Sequence, residues 1–345
     1  MEKLLIAMSG GVDSSVAAWA AQQSGAVCGG ITLRLWDNGT DTPIADAAAV
    51  ASRLKMAFHA LDAREEFKDR VVEYFIHCYE TGLTPNPCVR CNKHLKFSFL
   101  LDKALELGYD AIATGHYARI RQDEATGRYL LYKALDDKKD QSYFLACLDQ
   151  RQLAHSRFPL GELTKEQVRQ IALEQEFINA KKKDSQDICF VPDGDYMAFM
   201  ERYTGKNYPC GAFLDTEGKV VGTHKGAVGY TLGQRKGLGL AMGKPVYVCG
   251  KDMQANTVTV GPEALLFSSS LLAADWNWLP FETLTAPMRV MAKARSRHIP
   301  QPATVYPAED RRARVEFDEP QRAITPGQTV VLYDGDMVVG SGTII

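Results

Sequence analysis

The sequence lacks any long uninterrupted apolar run. Of its 345 residues, 46% are hydrophobic, yet no stretch approaches the roughly 20 consecutive apolar residues that cross a bilayer. The first residues, MEKLLIAMSGG, predict a buried strand that enters a loop and not a signal peptide. We therefore expect a cytoplasmic protein with no membrane partner.

A large excess of charge of either sign is also missing. The chain has 40 basic and 42 acidic residues, a formal net charge of -2 and an isoelectric point near 6.4. Nonspecific affinity for nucleic acid comes mainly from cations that meet phosphates. This balance argues against a generic polyanion binder, so any contact with nucleic acid must come from local basic patches.

The eight cysteines show no pattern typical of a secreted disulfide scaffold. In the reducing compartment that we expect, a structural disulfide framework is disfavoured. Any special cysteine should therefore be catalytic or metal-binding.

The length exceeds that of one ordinary core, and we expect three domains, at residues 1–203, 204–267 and 268–345. The first alternates short apolar runs with helical patterns, which predicts an α/β domain with a parallel sheet covered by helices. Its predicted strands are 4–8, 27–33, 58–61 and 111–114, and its predicted helices are 12–24, 44–54, 92–107 and one that a capping box at Thr164 and Gln167 opens near residue 165.

From Gly205 the sequence pattern changes to short β-branched runs separated by glycine and proline. This change predicts a small β-rich central domain followed by a C-terminal β-barrel. The predicted strands are 220–222, 245–248 and 257–260 in the central domain, and 288–295, 303–306, 313–317 and 329–332 in the barrel.

The strongest local signal is the segment SGGVDSS at 9–15, between the first predicted strand and the first predicted helix. Its glycines let backbone amides approach a phosphate, and the helix N-terminus adds partial positive charge. The lysine of the kinase and GTPase loop is absent. The segment resembles the PP-loop of the ATP pyrophosphatase superfamily, which predicts ATP as a ligand; the alternative is a plain glycine turn before a helix.

A second signal is the C-x-x-C pair Cys88 and Cys91, within TPNPCVRCNK at 84–93. Two prolines fix an extended approach. Asn92 is predicted to cap the next helix, which places Cys91 beside a helix N-terminus with Arg90 and Lys93 nearby, and these features stabilise a thiolate.

The C-x-x-C motif by itself suits zinc, redox and iron-sulfur roles alike, and the sequence contains no second C-x-x-C or H-x-x-H partner. Another candidate is Cys189, which follows the lysine run 181–183. Nearby lysines can lower a thiol pKa, whereas a lysine run is more often a solvated face and a cysteine before Phe190 is more often a core residue.

Six segments in order carry a resemblance along most of the chain: SGGVDSS at 9–15, NPCVRCN at 86–92, ATGHYAR at 113–119, KDQSYFL at 139–145, SQDICF at 185–190 and GYTLGQRKGLG at 229–239. Together they are similar to the tRNA-specific 2-thiouridylase family. The resemblance implies a PP-loop domain that binds ATP, a central domain and C-terminal barrel that help to hold tRNA, and conversion of the wobble uridine of the anticodon loop to 2-thiouridine.

The resemblance also implies roles for individual residues. Cys189 would carry a persulfide, and Cys91 would be its nucleophilic partner. The implied ATP contacts are Ala7, Met8, Ser9, Gly10, Gly11, Val12, Asp13, Ser14, Leu33 and Gly115. The residues implied to face the target base are Asn86, Pro87 and Cys88, and those implied to contact other parts of the tRNA are His116, Lys139, Asp140, Gln141, Arg295, Ser296 and Gln328.

The chain departs from the family pattern at two positions. Many members have aspartate where this chain has Cys88, and an aromatic residue is usual where this chain has Ser296. With Cys88, three thiols become available, so a [4Fe-4S] cluster on Cys88, Cys91 and Cys189 is an alternative to the persulfide and disulfide route.

The chemistry that the resemblance implies needs further components. Mg²⁺ would accompany ATP with help from Asp13, and an external sulfur donor, such as a cysteine desulfurase or a persulfide relay protein, would load the cysteine. Lys139, Arg235, Lys236, Arg295 and Arg297 are candidate phosphate contacts, of which Arg235 and Lys236 are preferred because glycines surround them.

Two rival functions remain open. Another PP-loop enzyme, such as an amidoligase similar to tRNA lysidine synthetase, would attack the adenylate with nitrogen and would not need Cys91 and Cys189. A noncatalytic tRNA-binding protein would use the C-x-x-C structurally, and the intact PP-loop argues against it.

Overall fold

The computed structural model describes residues 1–37, 39–183 and 188–345. Residues 185–187 of the SQDICF segment therefore lie outside the described residues. Across the described part of the chain, every helix is too short or too polar to cross a membrane. The strands form three sheets of five, four and eight strands.

The first part of the chain contains the parallel sheet that the sequence predicts. Its strands, together with a two-stranded hairpin, are β1 Lys3–Ala7, β2 Val27–Arg34, β3 Phe58–Asp62, β4 Ala111–Thr114, β5 Arg119–Gln122, β6 Tyr129–Tyr132 and β7 Ser156–Arg157. The sheet order is β3-β2-β1-β4-β7, and all its pairings are parallel. Leu5 and Ile6 at its centre are fully buried, as expected for a strand with helices on both faces.

Helices cover both faces of this sheet. Those of the first part are α1 Val12–Gln23, α2 Thr42–Arg53, α3 Arg64–Phe67, α4 Glu73–Glu80, α5 Pro87–Cys91, α6 Leu100–Glu106, α7 Ser142–Leu145, α8 Gln150–Ala154, α9 Lys165–Glu174 and α10 Tyr196–Thr204, with π-helical segments at Lys68–Val72 and Asn92–Phe99. The predicted capping box is confirmed, because the Thr164 hydroxyl and the Gln167 amide cap each other's backbone at the start of α9.

The second part is the small β-rich domain that the sequence predicts. Its strands are β8 Gly211–Leu214, β9 Val220–His224, β10 Tyr247–Asp252 and β11 Thr257–Gly261, and short 3₁₀ helices occur at Ala227–Gly229 and Glu263–Leu266. The sheet order is β10-β11-β8-β9. The buried side chains Phe213, Val248 and Val258 form its core.

The third part is the predicted C-terminal β-barrel. Its strands are β12 Phe267–Trp278, β13 Met288–Lys293, β14 Gln301–Pro307, β15 Ala313–Arg322, β16 Thr329–Asp334 and β17 Met337–Ile344. They run in the order β12-β15-β14-β13-β16-β17, and pairing of β12 with β17 closes the cylinder. Closure leaves no free strand edge within the ring.

The hairpin β5–β6 joins the barrel to the first part of the chain. Tyr132 of β6 pairs with Met337 of β17, so the hairpin extends the barrel sheet. The two paired residues lie about two hundred residues apart in the sequence. Arg119 reinforces the contact through an ion pair with Asp336 at 3.1 Å. The first part of the chain and the barrel therefore share one sheet through this hairpin.

Candidate functional site

The PP-loop segment forms a closed turn between β1 and α1. The Ser14 hydroxyl accepts a hydrogen bond from the Ser9 amide at 3.1 Å and donates one to the Gly11 carbonyl at 3.0 Å. Gly10 has a φ of +71°, and a Cβ on it would lie 2.3 Å from the Pro43 carbonyl oxygen. Glycine is therefore required there, and the loop directs the N-terminus of the 12-residue α1 towards a cavity.

Asp13 is the most constrained side chain of the loop. The Lys165 ammonium donates to both carboxylate oxygens, at 2.7 and 2.9 Å, and the Tyr117 hydroxyl donates to Oδ1 at 2.8 Å. Lys165 is only 8% exposed, so its ammonium is largely withdrawn from water. The predicted Mg²⁺ role of Asp13 therefore requires the ion to share or displace the Lys165 contact.

Two further side chains hold the PP-loop by hydrogen bonds to the Gly10 carbonyl. Asn179 donates its amide to the Gly10 carbonyl at 3.2 Å and to the Ser15 hydroxyl at 2.9 Å. Lys182 donates to the same Gly10 carbonyl at 3.1 Å and to the Asp46 carboxylate at 2.8 Å. Lys182 of the lysine run thus supports the loop, a role that was not among those considered from the sequence.

A cavity of about 230 Å³ lies in front of the loop, at the carboxyl ends of β1, β2 and β4, where nucleotides bind in open parallel sheets. Its lining includes most of the predicted ATP contacts: Ala7, Met8, Ser9, Asp13, Ser14, Leu33 and Gly115. Gly11 and Val12 line the neighbouring cavity instead, and Gly10 lies behind the loop against Pro43.

His116, predicted to contact tRNA, lies in the wall of this nucleotide cavity. Its Nδ1 is 2.7 Å from the Thr114 hydroxyl, and its ring packs between Phe97 and Phe158 at centroid distances of 5.7 and 6.0 Å. Burial, assisted by the Lys96 charge, lowers the pKa of His116 well below its ordinary value. The imidazole is therefore neutral at physiological pH and offers no cation to a phosphate.

The helix that carries the C-x-x-C motif begins earlier than predicted. It starts at Pro87 and is capped by Asn86, whose side chain accepts from the Val89 amide at 3.3 Å. The prediction that Asn92 caps a helix is wrong, because Asn92 is buried and donates its amide to the Phe144 carbonyl at 3.0 Å. Proline at the first helical position and asparagine before it are typical of a helix start.

This earlier start changes the environment of the two cysteines. Cys88 lies in the first turn and is exposed, whereas Cys91 ends α5 and is 8% exposed. Arg90 turns away from them, donating to the Arg70 carbonyl at 3.1 Å and stacking on the Tyr74 ring at 4.5 Å. The predicted stabilisation of a Cys91 thiolate is wrong, because burial raises the pKa of this thiol.

A second cavity of about 700 Å³ brings Cys88, Cys91 and Cys189 together with the PP-loop residues Ser9 and Asp13. Cys189 is exposed towards this cavity, but desolvation by the surrounding walls, together with the other two thiols, raises its pKa to about 12. Desolvation within the cavity likewise raises the pKa of the Cys88 thiol, although the residue is exposed. All three sulfurs are therefore protonated thiols in the free protein at neutral pH.

Lys96 is the cation that sequence reasoning missed. It lines both cavities, and its charge is the main influence that lowers the pKa of Cys88 and of Cys91 against the effect of burial. It lies in the π-helical segment, where the Leu100 amide bonds to the Leu95 carbonyl, five residues back. A π-helical turn aligns residues differently from a 3.6-residue period, so periodicity did not predict that Lys96 would line the same cavity as Cys91.

Sharing a cavity does not make the three thiols a metal site. Among residues 1–37, 39–183 and 188–345, no three histidine, cysteine, aspartate or glutamate side chains are grouped closely enough to hold a metal ion. The residues therefore do not fit an iron-sulfur cluster in the arrangement described here.

Several residues predicted to contact tRNA have structural partners in this structure. The Asp140 carboxylate accepts from the Ala134 and Ser142 amides, both at 3.1 Å, and from the Ser142 hydroxyl at 2.8 Å. The Gln141 side-chain oxygen accepts from the Tyr117 amide at 3.0 Å. Lys139 and Gln141 line the cysteine cavity, so this segment forms part of its wall.

The remaining predicted contacts lie around the barrel. Arg295 is half-buried and donates to the Leu232 carbonyl at 3.1 Å and to the Thr325 hydroxyl. Ser296 follows in the loop after β13 and is also half-buried. Arg235 and Lys236, by contrast, are exposed on the central domain, which leaves their charges accessible to a polyanion.

The fold and the loop define a PP-loop nucleotide-binding α/β domain whose cavity contains cysteines, followed by two β domains. Family models match the three parts: "tRNA methyl transferase HUP domain" at residues 2–193, "tRNA methyl transferase PRC-barrel domain" at 197–262 and "Aminomethyltransferase beta-barrel domain" at 268–344.

Full-length relatives are more specific. The chain is 46% identical to the tRNA-specific 2-thiouridylase MnmA of Clostridioides difficile, over 99% of this chain and 98% of the relative. It is 48% identical to that of Heliobacterium modesticaldum, over 100% and 92%, and 46% identical to that of Acetivibrio thermocellus, over 99% of each. The chain belongs to the tRNA-specific 2-thiouridylase family, as its motifs predicted.

The close approach at Gly115 gives a test of the nucleotide cavity. A Cβ at this position would lie 2.7 Å from the Asp13 carbonyl carbon and from the Ser14 amide nitrogen. We expect Gly115→Ala to push α1 away from β4 and to weaken ATP binding about tenfold or more, as measured by calorimetry, because overpacking of backbone costs about 1–3 kcal/mol. Gly250→Ala, whose Cβ meets only Thr259 at 3.7 Å, should bind ATP normally; equal binding by both variants would contradict the cavity assignment.

The raised thiol pKa values give a second test. Because only the thiolate reacts, alkylation of Cys189 in the folded protein should still accelerate about tenfold per pH unit above pH 9, whereas the unfolded chain should level off near pH 9. Mass spectrometry of the Cys189 peptide measures both rates. Lys96→Met should slow alkylation of Cys91 further, and Lys93→Met, at an exposed position on the same helix, should not. A folded-state rate that levels off near pH 9 would refute the desolvated cavity.

Proposed function

We propose that this chain uses ATP to activate the C2 carbonyl of the wobble uridine in a tRNA anticodon loop and then replaces its oxygen with sulfur. The observation that carries the proposal is the single cavity in which the PP-loop and the three cysteines meet. Family membership at 46–48% identity over the full chain supports the same reaction. An amidoligase reaction would leave the cysteines without a role.

Activation comes first, because the uridine carbonyl oxygen is a poor leaving group. The oxygen attacks the α-phosphate of ATP to give an adenylate, and pyrophosphate leaves towards the amides of the PP-loop and the N-terminus of α1. Mg²⁺ enters this proposal as the counterion of ATP and not as a ligand of Asp13, because Lys165 already pairs with that carboxylate. Lys96, between the two cavities, can face the charge that develops on the phosphate.

Sulfur transfer follows on the cysteine side of the cavity. An external donor, such as a cysteine desulfurase or a persulfide relay protein, loads Cys189 as a persulfide. Its terminal sulfur attacks C2 and AMP leaves; the Cys91 thiolate then attacks the Cys189 sulfur, which breaks the sulfur-sulfur bond and leaves 2-thiouridine and a Cys91–Cys189 disulfide. A two-electron cellular reductant reopens the disulfide, which agrees with a cytoplasmic location.

The tRNA contacts follow from the shape of the cavity. A base must leave its stack to reach the sulfur and the α-phosphate together, which favours a single-stranded loop over a duplex. Pro87 and Cys88 line the cysteine cavity, and we assign them, with the preceding Asn86, to the target base. The exposed Arg235 and Lys236 are the preferred phosphate contacts.

Substitution of Cys189 separates activation from sulfur transfer. Cys189→Ser should abolish thiolation, seen by mass spectrometry of anticodon nucleosides, while pyrophosphate release on adding ATP and tRNA continues at a similar rate. Cys210→Ser, at an exposed position, is the matched control and should keep both activities. Full thiolation by Cys189→Ser would remove this cysteine from the mechanism.

Cys88 distinguishes the persulfide route from a [4Fe-4S] cluster held by Cys88, Cys91 and Cys189. We propose the persulfide route, so Cys88→Ala, purified without oxygen, should contain no iron and still transfer sulfur from a persulfide donor. About four irons per chain in the unaltered protein, lost together with activity in Cys88→Ala, would establish the cluster instead.

A further inference from the structure

A loop of the C-terminal barrel holds the segment that leads into the cysteine helix. Gln328 donates its side-chain amide to the Thr84 carbonyl at 3.0 Å and to the Pro85 carbonyl at 3.1 Å. In return, the Thr84 amide donates to the Pro326 carbonyl at 2.9 Å. Three hydrogen bonds therefore join the loop 325–328 to residues 84–85, immediately before α5.

The loop approaches too closely for any residue but glycine at its centre. Gly327 has a φ of +89°, and a Cβ on it would lie 2.9 Å from both the nitrogen and the oxygen of Thr84. The loop is itself anchored in the barrel, because the Gly327 amide donates to the Ile344 carbonyl at 2.8 Å and the Ile344 amide to the Gln328 carbonyl at 2.9 Å. It is thus a rigid support.

A parallel connection reaches the same helix from β16. The Tyr143 hydroxyl donates to the Thr329 carbonyl at 2.7 Å and interacts with the side chain of Asn86. Asn86 is the cap of α5. Both connections therefore end at the start of the helix that carries Cys88 and Cys91.

We propose that Gln328 is a positioning residue, through which the barrel fixes the cysteine helix relative to the activated uridine. Its side-chain amide donates to two backbone carbonyls of the segment before α5, and the tRNA contact that the resemblance implied for Gln328 stays a prediction. The inference rests on the proposed thiolation, because it assigns Gln328 to the sulfur-transfer step. A small displacement of reacting groups can slow a reaction about a hundredfold.

The test uses Gln328→Glu, which keeps the size of the side chain but places an acceptor against two carbonyls. Gln321→Glu is the matched control, because the Gln321 amide bonds only to the Glu319 carbonyl in its own strand, at 2.7 Å. At saturating tRNA, Gln328→Glu should slow single-turnover sulfur transfer by about ten- to a hundredfold, with pyrophosphate release and tRNA affinity unchanged. Tyr143→Phe, which removes the parallel connection, should affect the same step.

A second measurement separates this inference from the proposed function. Cys91 is 8% exposed, so alkylation without tRNA should be faster in Gln328→Glu, where α5 is released, than in Gln321→Glu. This comparison tests the positioning role even if the unaltered chain shows no thiolation. Absence of thiolation would refute the proposed function and would leave the alkylation result unaffected. The positioning role would be overturned if Cys91 alkylation is unchanged in Gln328→Glu. It would also be overturned if this variant binds tRNA more weakly but transfers sulfur at the normal rate at saturating tRNA.

Discussion

The ion pair between Asp13 and Lys165 is the contact on which the rest of the site depends. It joins the PP-loop to α9, 152 residues later in the sequence. The hydrogen bond from the Tyr117 hydroxyl to Asp13 joins the turn after β4 to the same loop. With Lys165 at 10% and Asp13 at 32% side-chain exposure, the ammonium loses most of its water while the carboxylate stays partly solvated, so loss of Asp13 would leave a largely buried cation without its counterion. Neutralisation of Asp13 also removes a negative charge that would otherwise repel the triphosphate. The pair therefore serves stability and nucleotide binding together.

On the cysteine side of the cavity, exclusion of water disfavours the charged form of each sulfur. Desolvation in the cavity raises the pKa of Cys88, Cys91 and Cys189, so in the free protein these thiols are protonated and slow to react as nucleophiles. Reaction needs the negative form, and Lys96 is placed to stabilise it. Because a persulfide is more acidic than a thiol, loading Cys189 with sulfur would itself favour the anion beside Lys96. The same cavity therefore accounts for slow reaction of the free thiols and for faster reaction of a persulfide on Cys189.

Much of this architecture follows from the sequence. Parallel strands buried on both faces show as short apolar runs, and the Thr164–Gln167 capping box and the SGGVDSS loop are local patterns with local causes. The start of α5 could have been read from Asn86 before Pro87. The position of Lys96 could not, because a π-helical turn breaks the ordinary period. Lys165, Tyr117 and Gln328 act through contacts 104 to 244 residues apart, which no local pattern encodes.

The barrel is bonded directly to the backbone of the α/β domain. Asn277 donates to the Ala146 and Leu148 carbonyls, both at 2.8 Å, and Ser341 donates to the Ala146 carbonyl at 2.9 Å, beside the Gln328 loop and the shared β6–β17 pairing. These bonds end on backbone atoms, so the barrel could not turn as a unit without breaking several of them. With the barrel held in this way, a base has to leave its stack to reach the cavity, and unstacking costs least in a single-stranded loop. This cost favours the proposed anticodon loop over paired RNA.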